Sequence, residues 1–209
     1  SGLWFEIKFS DLTWIDGSAV IVCTAVDITQ KKKNQQKIEY QANNDFLTGL
    51  YNRMKCELDL RNIIRDAVCS NQKGALMFID LDDFKHINDG LGHQYGDLLL
   101  QQIAAGLQGI PGLRGHCYRM GGDEFAVFVE RLQTPDLNID TILRRLRAHI
   151  EEARREFPFL SVSTGAYLTN GFHTYDEYYV EADRALYETK KKGKNHDTIH
   201  KSTEGADHR

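Results

Sequence analysis

The chain has 209 residues, of which 41% are hydrophobic and 27% are charged, so it can hold one full globular domain and a smaller unit. Its formal net charge of -4 disfavours a nucleic-acid or membrane-surface binder, because such proteins usually present a basic field. No apolar run approaches the ~18 residues that a membrane span requires, and no signal peptide opens the sequence. We therefore expect a cytoplasmic location, no nucleic-acid partner and no membrane contact within this chain, with any membrane anchor confined to a longer parent protein.

The first 29 residues predict a β-hairpin. Aromatic and β-branched residues alternate and cluster along both halves of this segment, and an Asp16-Gly17 pair separates the halves, which is a strong hairpin signal. Two strands alone do not make a stable domain. We therefore interpret residues 1–29 as the end of a larger unit or as a hairpin that docks on a neighbour.

A polar segment without Gly or Pro follows at residues 30–44, and this pattern predicts a linker helix. Ile38 and Ala42 are four residues apart, so they share one face of that helix and give it a thin apolar seam. One or two weak heptads are compatible both with a solvated helix and with a dimerising coiled coil. Both alternatives stay open.

From residue 45 onward the sequence alternates between helical and extended patterns. Apolar residues at helical spacing predict helices at residues 54–68, 95–107, 136–155 and 178–192. Apolar and β-branched runs predict strands at residues 74–84, 116–120, 124–130, 159–168 and 196–200. Thr174 and Glu177 have the spacing of a capping box for the last helix, and Gly193 is well placed to end it. Strands mixed with helices, including one hairpin, indicate an α+β fold with a sheet covered by helices.

Acidic residues follow directly after the most apolar predicted strand. Asp80, Asp82 and Asp83 stand where the run ALMFI ends, and Asp123 and Glu124 occupy the turn between two later strands. Acids at the end of a strand are usually solvated loop residues. Two such groups at one sheet edge, however, would raise one another's pKa unless a cation lay between them. With no His or Cys nearby, oxygen ligands of this kind suit Mg²⁺ or Mn²⁺.

Two glycines, Gly121 and Gly122, precede the acids of that turn. Because glycine has no Cβ, a large ligand can approach the backbone there, and the N–H groups can face phosphate oxygens. The sequence contains no GxxxxGK[ST] loop, and an EF-hand loop is excluded because Lys85 and Leu91 stand where its glycine and glutamate are required. The glycines therefore predict access for a phosphate ligand, and the acids predict a metal.

Four motifs are similar to those of the GGDEF diguanylate cyclases: DFLTGLYNR at 45–53, DLDDFKHINDGLGHQYGD at 80–97, RMGGDEF at 119–125 and ADRALYETKKKGKN at 182–195. They occur in the family's order with familiar spacing. The resemblance implies a palm-like α+β domain, ferredoxin-like and related to adenylyl cyclases, whose central sheet contains antiparallel strands. It also implies a reaction that joins two GTP molecules into cyclic di-GMP with loss of two pyrophosphates.

The same resemblance implies a metal site and a catalytic set. Asp80 and Asp123 would be side-chain ligands of the metal, and the backbone carbonyl of Leu81 would be a third ligand. Asp123 would also lie near the attacking ribose 3′-hydroxyl and promote its deprotonation, with Glu124 sharing or tuning that role. Lys85 would complete the set by meeting the triphosphate. The expected cofactor is Mg²⁺, or Mn²⁺ in its place.

Further residues are assigned to the substrate by resemblance. Asn88 and Asp97 would read the guanine edge, because a carboxylate that accepts hydrogen bonds from N1–H and the 2-amino group excludes adenine. The other substrate-binding candidates are His93, Gly121, Gly122, Lys190 and Lys194.

Some of these residues have a plainer alternative role. Lys190 can offset the dipole of its own helix, His93 can be a helix N-terminal residue, and Asp82 can brace its loop instead of binding metal. The family usually has Arg at the position of Lys194, and Lys lacks the bidentate fork of Arg.

Residues 4–29 also resemble the last strands of a PAS sensor domain and close with the Asp27-Ile28-Thr29 signature that often precedes a signalling helix. Because only the end of such a domain is present, no ligand pocket is implied. The two resemblances predict four regions: the C-terminal end of a PAS-like domain at 1–29, a signalling linker helix at 30–44, a GGDEF nucleotidyl cyclase domain at 45–200 and a flexible tail at 201–209.

The expected function is an active diguanylate cyclase that binds GTP and releases cyclic di-GMP. We expect a homodimer, because the product is two-fold symmetric and each domain offers one GTP site. Two alternatives stay open. One is a catalytically silent GTP-binding regulator, which the intact acids disfavour because a silent copy does not need metal ligands. The other is a cyclase of relaxed base choice that makes cyclic GMP-AMP.

Overall fold

In the computed structural model of the chain, the described residues are 2–67, 74–113, 115–130, 138–169 and 174–202. They divide into two compact units, the first ending at Asn43 and the second beginning at Asn44. Three predicted features lie outside the described residues: the last residue of the helix at 54–68, the start of the helix at 136–155 and the tail beyond residue 202. None of the helices within these ranges is long and apolar enough to cross a bilayer.

The first unit is a hairpin followed by a helix. Its elements are strand β1 (Phe5–Thr13), strand β2 (Ala19–Asp27) and helix α1 (Thr29–Asn43). The two strands pair antiparallel, and their turn contains Gly17 at φ +87°, a left-handed conformation that glycine adopts without strain. The Asp16 carboxylate closes the turn by accepting hydrogen bonds from the backbone and hydroxyl of Ser18. The predicted hairpin is confirmed, and the helix lies one residue earlier than predicted.

The second unit is a mixed sheet with helices. Its strands are β3 (Tyr51–Asn52), β4 (Gly74–Leu81), β5 (Cys117–Gly121), β6 (Glu124–Glu130), β7 (Val162–Thr169) and β8 (Asp197–Lys201). Its helices are α2 (Arg53–Ala67), α3 (Phe84–Leu91), α4 (His93–Gly109), α5 (Ile139–Ala153) and α6 (Tyr175–Lys191). The strand order is β3-β5-β6-β4-β7-β8. β4 is antiparallel to both of its neighbours, and the edge strands β3 and β8 run parallel to theirs, so the predicted α+β fold is confirmed.

Strand β4 is buried along its whole length because helices cover both faces of the sheet. Successive residues of a strand point to opposite faces. Met77 and Ile79 accordingly belong to the core cluster that contains the apolar residues of α4 and α5. Leu76 and Phe78 belong to the other cluster, with apolar residues of α2 and α6. This two-sided burial explains the uninterrupted apolar run, which ends where Asp80 reaches the edge of the core.

The observed ends of the predicted helices and strands agree with the sequence pattern within three residues. The strand predicted at 74–84 ends at Leu81, because Asp83 adopts a left-handed conformation (φ +57°) and α3 begins immediately after it. Helix α3 and strand β3 are additional elements. β3 is too short to show a periodic pattern, and α3 contains Gly90, a weak helix former.

The capping box predicted for the last helix is confirmed. The Thr174 hydroxyl accepts from the backbone of Glu177 at 3.3 Å, and the Glu177 carboxylate accepts from the backbone of Thr174 at 2.6 Å. Helix α6 ends at Lys191, and Gly193 follows at φ +118°. Both ends of α6 are therefore fixed by local sequence, and its last turn is directed toward the end of β4, where Lys190 contacts Asp80.

A test of the fold uses the close packing of α6 on β7. A Cβ on Gly165 of β7 would lie 2.0 Å from the backbone nitrogen of Leu186 and 2.7 Å from the carbonyl of Ala182, and backbone cannot rotate away. We expect Gly165→Ala to lower the free energy of unfolding by about 2 kcal/mol or more, because α6 must move off the sheet. Urea titration measures this, with Gly90→Ala as the matched control, since a Cβ there meets no atom within 4 Å. Equal unfolding midpoints for the two variants would contradict the packing.

Candidate active site

The carboxyl end of β4 meets the turn between β5 and β6, and the predicted metal ligands lie here. In the antiparallel pairing of β4 with β6, Asp80 is the register partner of Glu124. The backbone N–H of Leu81 donates to the backbone carbonyl of Asp123 at 3.3 Å. The fold therefore brings the acids of two separate motifs to one end of the central strands.

Asp80 is a buried carboxylate, with 6% of the residue exposed. Burial is the main cause of a pKa above the usual range; the Lys190 ammonium, 2.7 Å from Oδ2, lowers this pKa, and the charges of Asp123 and Glu124 raise it. Lys190 brings one positive charge to an edge where Asp80, Asp123 and Glu124 bring three negative charges. The site favours a further cation.

The donor atoms at this edge fit a hard divalent ion. The carboxylates of Asp80 and Asp123 and the carbonyl of Leu81 are oxygen donors, which Mg²⁺ and Mn²⁺ prefer. Across the described ranges, no group of three or more His, Cys, Asp or Glu side chains is arranged to hold a metal ion. Magnesium sites in proteins commonly use one or two carboxylates, and water and substrate phosphates complete the shell.

The paired glycines are required by the backbone of the β5–β6 turn. Gly121 has φ +144° and Gly122 has φ +56°, and the register of the two strands shifts at this point. A Cβ on either glycine would meet no atom within 4 Å, so the turn has open space beside it. The two glycines therefore have two effects. They leave room for a ligand beside the turn, and they adopt a backbone conformation that L side chains rarely adopt.

Arg119 anchors this turn. Its Nε and Nη2 atoms donate to the carbonyl of Gly122 at 3.1 and 2.8 Å, and Nη1 donates to Oδ1 of Asp45 at 3.0 Å. The hydroxyl and backbone N–H of Thr48 donate to the same carboxylate oxygen. Burial opposes the charge of Asp45, but these hydrogen bonds and the Arg119 charge hold its pKa below the usual value. The motif at 45–53 is therefore joined to the glycine turn by a charged contact.

The predicted guanine-reading residues lie where α3 and α4 meet. The side-chain oxygen of Asn88 on α3 is buried and has no hydrogen-bond partner in the part of the chain that is described. It packs against Gly96 of α4, where a Cβ would come within 2.0 Å of that oxygen. Asp97 is exposed, and so is His93, the first residue of α4. The corner offers a buried amide acceptor close in sequence to an accessible carboxylate.

The three predicted phosphate-binding lysines occupy different positions. Lys190 contacts Asp80 near the end of α6. Lys194 follows that helix at φ +62° and contacts Oδ1 of Asp83 at 2.7 Å, which lowers the pKa of Asp83 and raises that of Lys194. Lys85 is exposed in the first turn of α3. The end of α6 therefore delivers two positive charges to the acidic edge.

Asp82 has a different environment from the acids on either side of it. Only 3% of this residue is exposed. Its Oδ1 accepts from the Ser163 hydroxyl at 2.6 Å, and its Oδ2 accepts from the Ser161 hydroxyl at 2.6 Å and from the backbone N–H of Asn195 at 3.1 Å. Protein donors bind both oxygens, which favours the bracing role over metal binding.

Sequence reasoning did not assign roles to Arg119, Asp45 or Gly96. Arg119 and Asp45 are 74 residues apart, and no periodic pattern reports a contact of that kind. A signal did exist for the partners of Asp82. Ser161 and Ser163 are hydroxyls at alternate positions at the start of a buried strand, and buried hydroxyls need acceptors.

The chain matches a known family and known proteins. Residues 42–196 match the family described as "Diguanylate cyclase, GGDEF domain". The chain is 31% identical over 220 residues to the probable diguanylate cyclase DgcE of Escherichia coli, covering 100% of this chain and 19% of that protein. It is 30% identical over 209 residues to a diguanylate cyclase of Vibrio cholerae, covering 96% of this chain and 63% of that protein. The chain thus spans less than two thirds of the length of these relatives.

A solved structure supports the same grouping. The coiled coil and GGDEF domain of DgcB from Caulobacter crescentus, in complex with c-di-GMP, superposes with a TM-score of 0.74 and 25% identity. That comparison covers 83% of this chain and 93% of the other. The family match at residues 42–196 spans well over half of the chain. The chain therefore belongs to the family of GGDEF diguanylate cyclase domains.

Proposed function

We propose that this chain is a diguanylate cyclase that joins two GTP molecules into cyclic di-GMP and releases two pyrophosphates. The observation that carries the proposal is the acidic edge formed by Asp80, Asp123 and Glu124 beside an open glycine turn. Negative charge in excess of the nearby cation suits metal-assisted phosphoryl transfer. Membership of the GGDEF family supports the same reaction.

A divalent metal ion is general in GGDEF diguanylate cyclases, and in this proposal the ion is Mg²⁺ or Mn²⁺. Asp80, Asp123 and the carbonyl of Leu81 are its protein ligands. When bound, the ion would lower the pKa of the ribose 3′-hydroxyl and offset charge on the α-phosphate and pyrophosphate. The meeting of Asp80 with Asp123 and Glu124 at one end of the central strands supports a cation site at this position.

Each half-reaction forms a bond between O3′ of one GTP and the α-phosphorus of the other, and it breaks the bond from that phosphorus to pyrophosphate. Asp123, which is partly buried, takes the proton of the 3′-hydroxyl. Glu124 shares or tunes this role through its own charge. Lys85 meets the triphosphate and offsets the charge of the leaving group.

Guanine is recognised at the corner of α3 and α4. The buried oxygen of Asn88 accepts a hydrogen bond from the base, because an unpaired buried acceptor is otherwise unfavourable. The exposed carboxylate of Asp97 accepts from guanine N1–H and the 2-amino group. The remaining proposed substrate ligands are His93, Lys190, Lys194 and the backbone of Gly121 and Gly122.

The active species in this proposal is a homodimer of facing cyclase domains. Each domain offers one GTP site, so each 3′-hydroxyl attacks a nucleotide that the partner subunit holds. Helix α1 offers only a thin apolar seam with which to pair, since Ile38 is 67% exposed and most residues of the helix are polar. Association is therefore expected to be weak in this chain.

The proposal retains the predicted regions: a PAS-like end at 1–29, a signalling helix at 30–44, the cyclase domain at 45–200 and a tail at 201–209. The exposed side chains of the hairpin support the first assignment. Phe5, Ile7 and Phe9 share one face of β1 and are 51%, 56% and 70% exposed. A strand face of this composition is typical of a larger sheet domain.

The proposed reaction is tested by neutralising the acidic edge. We expect Asp80→Asn and Asp123→Asn each to lower kcat for cyclic di-GMP by ~10² or more, because charge at a phosphoryl-transfer site contributes several kcal/mol. Asp140→Asn is the matched control, since Asp140 is exposed on α5, and its rate should equal that of the parent protein. Chromatography of the nucleotides after incubation with GTP and Mg²⁺ measures all three rates. Near-parental turnover by either site variant would contradict the metal assignment.

The guanine corner is tested at Gly96. A Cβ there would lie 2.0 Å from the Asn88 oxygen and 3.1 Å from Cζ of Phe84, so the Asn88 side chain must move. We expect Gly96→Ala to raise the KM for GTP about fivefold to tenfold, the equivalent of one lost hydrogen bond.

The control for this experiment is Gly106→Ala in the same helix, where a Cβ makes only an ordinary contact with His149 at 3.5 Å. Both substitutions replace glycine with a better helix former. Steady-state kinetics with each protein gives the comparison. If the KM of Gly96→Ala matched that of Gly106→Ala, Asn88 would not be a guanine ligand.

The dimer is tested by dilution. We expect the specific activity per protomer to rise with protein concentration across the micromolar range, because a weak pair must form before catalysis. A strong zipper fused ahead of Gln30 in a permissive register should raise activity at low concentration and flatten this dependence. Constant specific activity on dilution, with a monomer confirmed by sedimentation, would contradict the two-protomer mechanism.

A further inference from the structure

A buried carboxylate that the proposed reaction does not use lies beside the acidic edge. Asp82 is 3% exposed, and the hydroxyls of Ser161 and Ser163 donate to it at 2.6 Å each. The backbone N–H of Asn195 is a third donor at 3.1 Å. Burying a charge is costly unless donors replace its water, so these three hydrogen bonds are what permits a carboxylate at this depth.

The backbone N–H of Asn195 belongs to a turn whose residues have an unfavourable backbone conformation. Gly193, Lys194 and Asn195 have φ of +118°, +62° and +52° in succession. Residues with a Cβ avoid this region, so the turn depends on contacts from outside. The Asn195 side-chain oxygen accepts from Arg147 of α5 at 3.4 Å and from Arg154, the residue after α5, at 3.2 Å. The Asn195 N–H donates to the buried Asp82 carboxylate.

Two lysines lie in or beside this turn. Lys194 is within it and contacts Asp83 at 2.7 Å, while Lys190 precedes it by one helical turn and contacts Asp80 at 2.7 Å. Asp82 stands between those two acids in the sequence. The segment at the end of β4 therefore holds Asp80 and Asp83, which the lysines contact, and also Asp82, which anchors the turn. The backbone N–H groups of Gly193 and Lys194 donate to the carbonyls of Lys190 and Thr189 at 3.4 Å each, so movement of the turn relative to Asp82 displaces Lys194 and loosens the helix end that carries Lys190.

We propose that Asp82 is a positioning residue. Its buried carboxylate holds the turn at 193–195 in left-handed conformation and so fixes Lys190 and Lys194 where the triphosphate of GTP binds. The role rests on the proposed function, because it assigns the lysines to that substrate. Asp82 binds no metal and touches no substrate, since protein donors bind both of its oxygens.

Asp82→Asn tests this role because the amide keeps the shape of the carboxylate but replaces one acceptor with a donor. We expect the KM for GTP to rise about tenfold, a change of about 1.4 kcal/mol, while the Mg²⁺ concentration for half-maximal rate stays at the parent value. Calorimetry with Mg²⁺ and α,β-methylene-GTP, which cannot lose pyrophosphate, should give a matching loss of affinity.

A matched pair of variants separates the hydrogen bond from general loss of structure. Ser161→Ala removes one donor to Asp82, whereas Ser161→Thr keeps the hydroxyl. We expect the alanine variant to raise the KM and the dissociation constant of the analogue several-fold, and the threonine variant to resemble the parent. Should Asp82→Asn fail to fold, this pair decides the question.

Hydrogen exchange supplies a readout that needs no turnover. The peptide that covers 190–197 should exchange faster in Asp82→Asn and Ser161→Ala than in the parent and in Ser161→Thr. If the parent protein binds the analogue but makes no cyclic di-GMP, the proposed cyclase activity is contradicted. The exchange and affinity measurements test the positioning role of Asp82 even in that case.

Two results would overturn the proposal. A higher Mg²⁺ requirement in Asp82→Asn, with exchange of the 190–197 peptide unchanged, would make Asp82 a metal ligand. Faster exchange with unaltered KM and unaltered affinity for the analogue would mean that the conformation of the turn does not position the lysines for the triphosphate.

Discussion

The site depends on how buried negative charge is compensated at the end of β4. This strand is covered on both faces, so the first polar groups that follow its apolar run are still inside the protein: Asp80 is 6% exposed and Asp82 is 3% exposed. Carboxylates at this depth are unfavourable without partners. The protein stabilises the two buried carboxylates in different ways. Asp80 has an ion pair with Lys190, and Asp82 has three neutral donors.

The partners of these two carboxylates come from distant parts of the chain. The partner of Asp80 comes from the last turn of α6, and those of Asp82 come from the start of β7 and from the turn at 193–195. The glycine turn is held in a similar manner, because Arg119 joins it to Asp45. Each acidic or glycine-containing segment is thus stabilised by a group from another element, so the geometry of the candidate site requires the folded sheet with its helices in place. The partial compensation of Asp80 leaves the negative charge that a divalent ion can use.

Much of this arrangement could be predicted from sequence. The apolar run of β4, the capping box of α6 and the alternation of strands with helices each have a local pattern, and the α+β fold follows from them. Acids at the end of one strand and in a turn between two others predict that Asp80 meets the turn at 121–124. Its geometry follows from the pairing of β4 with β6.

The rest depended on contacts that leave no periodic signal. Nothing in the residues around Gly96 indicates that the Asn88 side chain packs against it, and the three successive left-handed residues at 193–195 include only one glycine. Helix α3 and strand β3 are too short for a pattern to accumulate. Positions of this kind are set by packing between elements, and the sequence within each element does not determine that packing.

In the proposed function, the acidic edge carries out cyclisation of GTP. Its most direct test is to incubate the purified protein with GTP and Mg²⁺ and to identify the products by chromatography and mass spectrometry. We predict cyclic di-GMP together with two pyrophosphates for each molecule formed, and no mixed product when ATP is present in equal amount. Bound but unchanged GTP would indicate a silent regulatory domain and would contradict the account, and cyclic GMP-AMP from the mixed nucleotides would contradict the assigned reading of guanine.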